Sequence, residues 1–136
     1  MIHQLTFTRA ASYDASQPGI TVEVELSLGR ERVPCQAKLD TGSTFCLFTR
    51  EVGESLGIKI KDGLRRRIGT VTGNFDVYLH EVTLTVLSLE LNALVGFTVN
   101  AGFQRNVLGR RGFLEQVALG LVDYEGRLFL SRYGEE

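Results

Sequence analysis

Asp40-Thr41-Gly42-Ser43 occurs once in these 136 residues, and its residue types suit acid–base chemistry. It follows an apolar strand pattern, Val33-Pro34-Cys35-Gln36-Ala37-Lys38-Leu39, and runs into a second, Phe45-Cys46-Leu47-Phe48. A short acidic loop between two strands aims a carboxylate at a cleft. Peptide hydrolysis by carboxylates requires two of them sharing one proton. A chain with a single such loop must take the second from another molecule. The other Asp-Gly pair, Asp62-Gly63, lacks an intervening hydroxyl residue and reads as a turn. Taken alone, an Asp-Thr-Gly triplet is also what an aspartate capping its own turn looks like.

The elements that would position this loop are mostly strands. Ile20, Val22, Val24, Leu26 and Leu28 alternate with polar residues, the pattern of a half-buried antiparallel strand. The segment from Met1 to Arg9 alternates in the same way. Thr49 is placed to cap a short helix over Arg50 to Leu56, with Gly57 as its left-handed stop. Ile58 to Lys61 reads as extended. A long hairpin follows, with arms Leu64 to Ile68 and Phe75 to Leu87 around a small, uncharged, Gly-containing tip from Gly69 to Asn74. Such a tip can approach a ligand's backbone closely. Further strand pattern covers Leu89, Leu91 and Ala93 to Val99. After a polar loop from Asn100 to Arg105 come a short apolar strand, Val107-Leu108-Gly109, and a brief helix from Arg110 to Val117. A terminal hairpin from Leu119 to Arg132 turns at Glu125-Gly126. Pro18-Gly19 sets off an N-terminal arm, residues 1–17, from a domain spanning 18–136.

The length allows one domain with a real core. A composition 43% hydrophobic and 23% charged is that of an ordinary globular chain. Fifteen basic and sixteen acidic side chains leave a net charge of -1, so there is no electrostatic case for nucleic acid or anionic membrane as a partner. Arg65-Arg66-Arg67 reads as a solvated hairpin face. No apolar run approaches the ~20 residues of a membrane span. The first residues lack the basic start and apolar stretch of a signal peptide. Cys35 and Cys46 read as buried free thiols, which fits a cytoplasmic home. His3 and His80 stand alone, so no metal site and no cofactor are expected.

Asp40-Thr41-Gly42-Ser43, the Gly69–Gly73 tip and Val107-Leu108-Gly109-Arg110 appear in that order, followed by a short helix and a final strand pair. The chain in this respect resembles the retropepsin-like aspartic proteases, the single-lobed family of retroviral proteases and their cellular relatives. The resemblance spans roughly Pro18 to Arg132. It implies a mostly β fold: a single-lobe closed β-barrel with a flap hairpin, one or two short helices and a two-fold homodimer. It implies that Asp40 is the catalytic carboxylate, that Thr41 bonds across the two-fold axis, and that Gly42 leaves room for the substrate backbone. Ile68, Gly69, Thr70, Val71, Thr72 and Gly73 would form the flap over the substrate, and Leu108 and Gly109 would buttress the acid loop. Arg110 matches a family arginine that ties the helix to the dimer interior. Retroviral members often supply its acidic partner two residues after the triplet's glycine; here that position is Thr44.

The implied activity is that of an aspartic endopeptidase, sensitive to pepstatin, acting on a peptide or protein. Ser43 is expected to donate a hydrogen bond to the carboxylates and shift the pH optimum downward. Apolar lining by Leu39, Val71 and Leu108 would favour hydrophobic side chains beside the cut. The alternative is a non-catalytic member in which the same fold serves dimerisation or peptide binding, since a fold does not guarantee its chemistry.

Overall fold

The computed structural model describes residues 1–135 as ten strands, one α-helix and short 3-10 turns. Strand β1 is Arg9–Ser12, β2 Thr21–Leu28, β3 Glu31–Leu39 and β4 Leu47–Phe48. Helix α1 is Arg50–Ser55. The hairpin arms are β5, Leu64–Thr70, and β6, Gly73–Val86, and β7 is Leu89–Thr98. Strand β8 is Val107–Leu108, β9 Val117–Val122 and β10 Arg127–Arg132.

Two sheets organise these strands. The larger runs β2-β3-β8-β4-β7-β6-β5, and β2 pairs with β6 as well, so six of its strands close into a ring and β5 branches from it. In β2 the alternation read from the sequence holds: Val22, Val24 and Leu26 are buried between exposed Thr21 and Glu23. Leu26, Leu84 and Leu91 are wholly buried inside the ring. Each such side chain contributes about 1.5–3 kcal/mol by leaving water. The β6–β7 hairpin turns on Leu87 and Ser88, both with positive φ (49° and 66°), as a two-residue turn compatible with strand twist requires.

The smaller sheet is β1-β10-β9. Alternation had suggested a strand over Met1 to Arg9, but the strand lies at Arg9–Ser12, where β10 offers a partner. The arm is therefore tied to the body. Tyr13 donates its hydroxyl to Asp123 (2.6 Å), and the Thr8 N–H donates to the Ser131 hydroxyl (2.7 Å).

The helix over Arg50–Ser55 forms as expected. The Thr49 hydroxyl accepts from the Val52 N–H, and Gly57 adopts a left-handed φ of 78°. Two other expectations fail. Ile58 to Lys61 is not extended throughout; Ile60–Asp62 forms a 3-10 turn. Nor is Arg110 to Val117 a helix beyond the 3-10 turn Leu114–Gln116. The N–H groups of Arg110 and Arg111 donate instead to Ser43 and Thr44, and Gly112 takes a φ of 95°, which no right-handed helix accommodates. No helix among the described residues is long and apolar enough to cross a membrane.

Candidate active site

Asp40 follows the last residue of β3, where the chain leaves the sheet. Its own N–H donates to the Leu108 carbonyl of β8 (2.9 Å), the last rung fixing it to the interior. The loop then closes on itself: the Gly42 N–H donates to Asp40 Oδ1 (2.9 Å), and the Ser43 N–H donates to the Asp40 carbonyl (3.2 Å). The far side is held by Arg110 and Arg111, whose N–H groups donate to the carbonyls of Ser43 (2.9 Å) and Thr44 (2.8 Å). These bonds leave the Asp40 side chain exposed at the loop surface.

Gly109 makes this clasp sterically possible. A Cβ there would sit 2.6 Å from the Ser43 carbonyl oxygen and closer still to that of Phe45. The Cys46 thiol packs against the same glycine, accepting from the Gly109 N–H at 3.4 Å. Cys35 and Cys46 are both free. Burial pushes the Cys46 thiol up to about 12 and that of Cys35 up to about 11. Both remain neutral thiols in the physiological range.

Beside Asp40 opens a cleft of about 400 Å³, within the range of ligand sites. The acid loop gives it Asp40, Gly42, Ser43 and Thr44. The flap root gives it Arg67, Ile68, Gly69, Thr70 and Phe75. The structure thus brings the acid loop and the flap together across one cavity. Thr41 and Arg110 lie apart from it, around a neighbouring surface depression shared with Arg111 and Glu115. Among the described residues Arg110 makes no ion pair. Its position is fixed through its backbone.

Several expected contributors are placed elsewhere. The flap turn is tighter than the sequence suggests, with Val71 and Thr72 alone between the strands. Val71 is wholly exposed, and Val71, Thr72 and Gly73 do not line the cleft of the single chain. Leu108 is fully buried and does not line the cleft, and neither does Leu39. The apolar wall is built by Phe45, Leu47, Ile68, Phe75, Phe103 and Val107. Ser43 does not reach the carboxylate: its hydroxyl donates to the Phe45 carbonyl at 2.7 Å, because the loop folds it inward. The expected effect on the pH optimum loses its geometric basis.

Phe103, Arg105 and Asn106 were missed by sequence reasoning. Phe103 stacks on Phe75 with ring centroids 5.4 Å apart, joining the 100–106 loop to the flap root. Asn106 accepts from the Thr49 N–H (3.1 Å) and donates to the Gln36 carbonyl (3.1 Å), bridging β3 and the helix cap. An aromatic residue inside an otherwise polar loop was the available signal. Among the described residues no group of three or more His, Cys, Asp and Glu converges to hold a metal ion.

The family model described as aspartyl protease matches residues 21–121, which contain the acid loop, the flap and the β8 buttress. The chain belongs to the aspartyl protease family. Its fold is similar to that of a retropepsin-like aspartic protease from Rickettsia conorii, with a TM-score of 0.64 at 15% identity, covering 90% of this chain and 97% of that one. It is also similar to EIAV protease, solved in complex with the inhibitor HBY-793, with a TM-score of 0.54 at 21% identity over 69% of this chain and 84% of that one. At such identities the likeness establishes the fold, which is mostly β and retropepsin-like. No curated protein matches the chain. For this family member the architecture rests on the family match and on solved neighbours.

Proposed function

We propose that the chain is an aspartic endopeptidase, active as a symmetric homodimer in which two Asp40 carboxylates, one per protomer, activate a water held between them. The observation that carries this reading is the placement of Asp40. It stands exposed on a backbone-clasped loop at the edge of a peptide-sized cleft, with the flap root on the facing wall. Among the described residues it is also the one acidic residue lining that cleft. Half of a two-carboxylate site is present in one chain, and a two-fold axis supplies the other half.

The smaller sheet supports the dimer. Strand β9 pairs with β10 on one edge and leaves the other open. That edge, Val117 to Val122, contains no Lys, Arg or Pro, the residues that usually blunt an unpaired strand. Leu121 and Val122 on it and Tyr133 after β10 expose apolar surface, as do Met1, Ile2 and Leu5. A second copy would cover these groups.

In the mechanism that follows, two carboxylates this close cannot both ionise and so share one proton. The ionised member takes a proton from the water as it attacks the scissile carbonyl. The protonated member gives its proton to the carbonyl oxygen. The proton taken from water then passes to the leaving nitrogen as the C–N bond breaks, and the gem-diol returns its hydroxyl proton to the pair, so no acyl-enzyme forms. Thr41 braces the two loops across the axis, and Gly42 admits the substrate backbone. The flap, from Ile68 through Gly73, closes over an extended peptide, bonding it as an added strand and excluding bulk water.

A mixed peptide library incubated between mildly acidic and neutral pH, with and without pepstatin, tests the reading. Cleavage is expected, blocked by pepstatin and reduced at least about 10³-fold in Asp40→Asn, while sedimentation shows the variant still dimeric. Cleavage that survives in Asp40→Asn, or full activity in a monomer, would remove the proposal. A dimer that binds peptides without cutting any would favour the non-catalytic alternative.

A further inference from the structure

The cleft beside Asp40 is not uniformly apolar: two arginines, Arg67 and Arg105, stand in its lining. Arg67 projects from β5 and reaches Asp76 on β6, with Nε 3.4 Å from Oδ1. Asp76 is shared, because Arg65 takes its other oxygen at 3.1 Å. Arg105 comes from the loop that also carries Phe103. Among the described residues it makes no ion pair. Among the described residues of the lining, Asp40 is the sole carboxylate. Two copies of Asp40 sharing a proton would carry one negative charge between them. Two copies of each arginine would carry four positive ones. The cleft therefore has a surplus of positive charge next to an aromatic wall.

We propose that this site selects peptides in which an acidic side chain flanks an apolar or aromatic one, with Arg105 as the principal contact for the carboxylate and Arg67 as the secondary one. The proposal rests on the reading that the cleft binds peptide, and it names the substrate class. The Phe75–Phe103 wall receives the apolar side chain. A guanidinium meets a carboxylate with two parallel hydrogen bonds, which an uncharged amide cannot match. Both arginines are exposed, so solvent and salt limit the strength of the contact. A two-fold axis places the same pair on both sides of the scissile bond, so acidic residues are favoured on either side of it.

The carboxylate must be ionised to be selected. A substrate Glu titrates near 4.3, so selection is present above that pH and fades as pH falls through it.

The test uses the 136-residue chain carrying Asp40→Asn and fluorescence anisotropy of labelled peptides with a central aromatic residue, in which Glu or its isostere Gln is scanned through the flanking positions. At low salt and near-neutral pH, Glu at the favoured positions is expected to tighten binding about 5–10-fold over Gln. The ratio falls toward one in about 0.5 M salt and again near about pH 3.5. Adding Arg105→Gln collapses the ratio, and Arg105→Lys, which keeps the charge but not the fork, restores part of it. Circular dichroism confirms that both variants are folded. Equal binding of Glu and Gln peptides at every position overturns the proposal, as does a ratio unchanged in Arg105→Gln. Hydrolysis of the same peptides by the unmodified chain separates the two ideas. Binding selectivity without cleavage rejects the hydrolase and keeps the acidic preference. Cleavage without selectivity does the reverse.

Discussion

The acid loop and the flap face each other across one cleft, yet they are held in opposite ways. The loop is bonded outward, to β8 and to the turn after it, through three backbone hydrogen bonds donated by Asp40, Arg110 and Arg111. It rests on the fully buried Leu108, on Gly109 and on the buried Cys46. The flap is bonded mainly to itself. Its first arm, β5, pairs only with β6, and nearly all of its side chains are exposed. Beyond the ladder, the Phe75–Phe103 contact and the Asp76 ion pairs restrain it. Chemistry at a carboxylate needs positional accuracy, whereas admitting a peptide needs a wall that opens. The bonding is what the proposed hydrolysis would need, with the less buried, less connected element being the one suited to movement.

Substitutions can sharpen or break this contrast. The largest effect is expected for Gly109→Ala. The added methyl drives into two carbonyl oxygens that cannot both retreat, costing about 2–4 kcal/mol. Chemical denaturation should show that loss, and turnover should fall with it. If stability is unchanged, the clasp is not what fixes the loop. On the flap side, Phe103→Ala should raise KM about 3–10-fold, the equivalent of one aromatic contact worth about 0.5–1.5 kcal/mol, while kcat moves less. A fall in kcat alone would mean that the 100–106 loop serves the chemistry instead.

Smaller effects follow from the polar groups. Ser43→Ala removes the bond to the Phe45 carbonyl and should cost about 1 kcal/mol, leaving the pH–rate profile in place. A displaced profile would return the hydroxyl to the carboxylates. The raised thiols of Cys46 and Cys35 keep their protons in the folded chain when the unfolded chain has released its own near pH 8.5. Stability contributed by the neutral thiols is complete below that point and is lost as pH rises toward about 11 and 12. Melting temperatures should therefore decline through this window, and less steeply in Cys46→Ala. Last, Asp76→Asn should change global stability by less than about 0.5 kcal/mol while lowering amide protection in β5. Equal loosening of the acid loop would contradict the separation of the two regions.

Much of this organisation was legible in the chain itself. The alternation in β2, the Thr49 cap, the Gly57 stop and the two hairpin arms depend on neighbours within a few residues, and local spacing encodes them. The Asp40 loop and the Val107-Leu108-Gly109 strand could likewise be identified from residue type and order. Where expectation failed, a distant partner had decided. Met1 to Phe7 has strand alternation but pairs with no strand, whereas Arg9–Ser12 meets β10. Arg110 to Val117 has helix-forming residues, but its first N–H groups are taken by the acid loop some 67 positions earlier.

Sequence alone determined the mostly β character and the identity of the single acidic loop, and it is the source of the proposal that a second copy completes the site. A solitary Asp-Thr-Gly cannot complete a two-carboxylate site, whatever the fold. Tertiary structure alone decided which side chains face the cleft. It turned Ser43 inward, left Val71 in solvent, and set Phe103, Arg67 and Arg105 beside Asp40. The reason is physical: a cavity wall is assembled from segments remote in sequence, and their meeting is set by how the strand ring closes rather than by any local pattern.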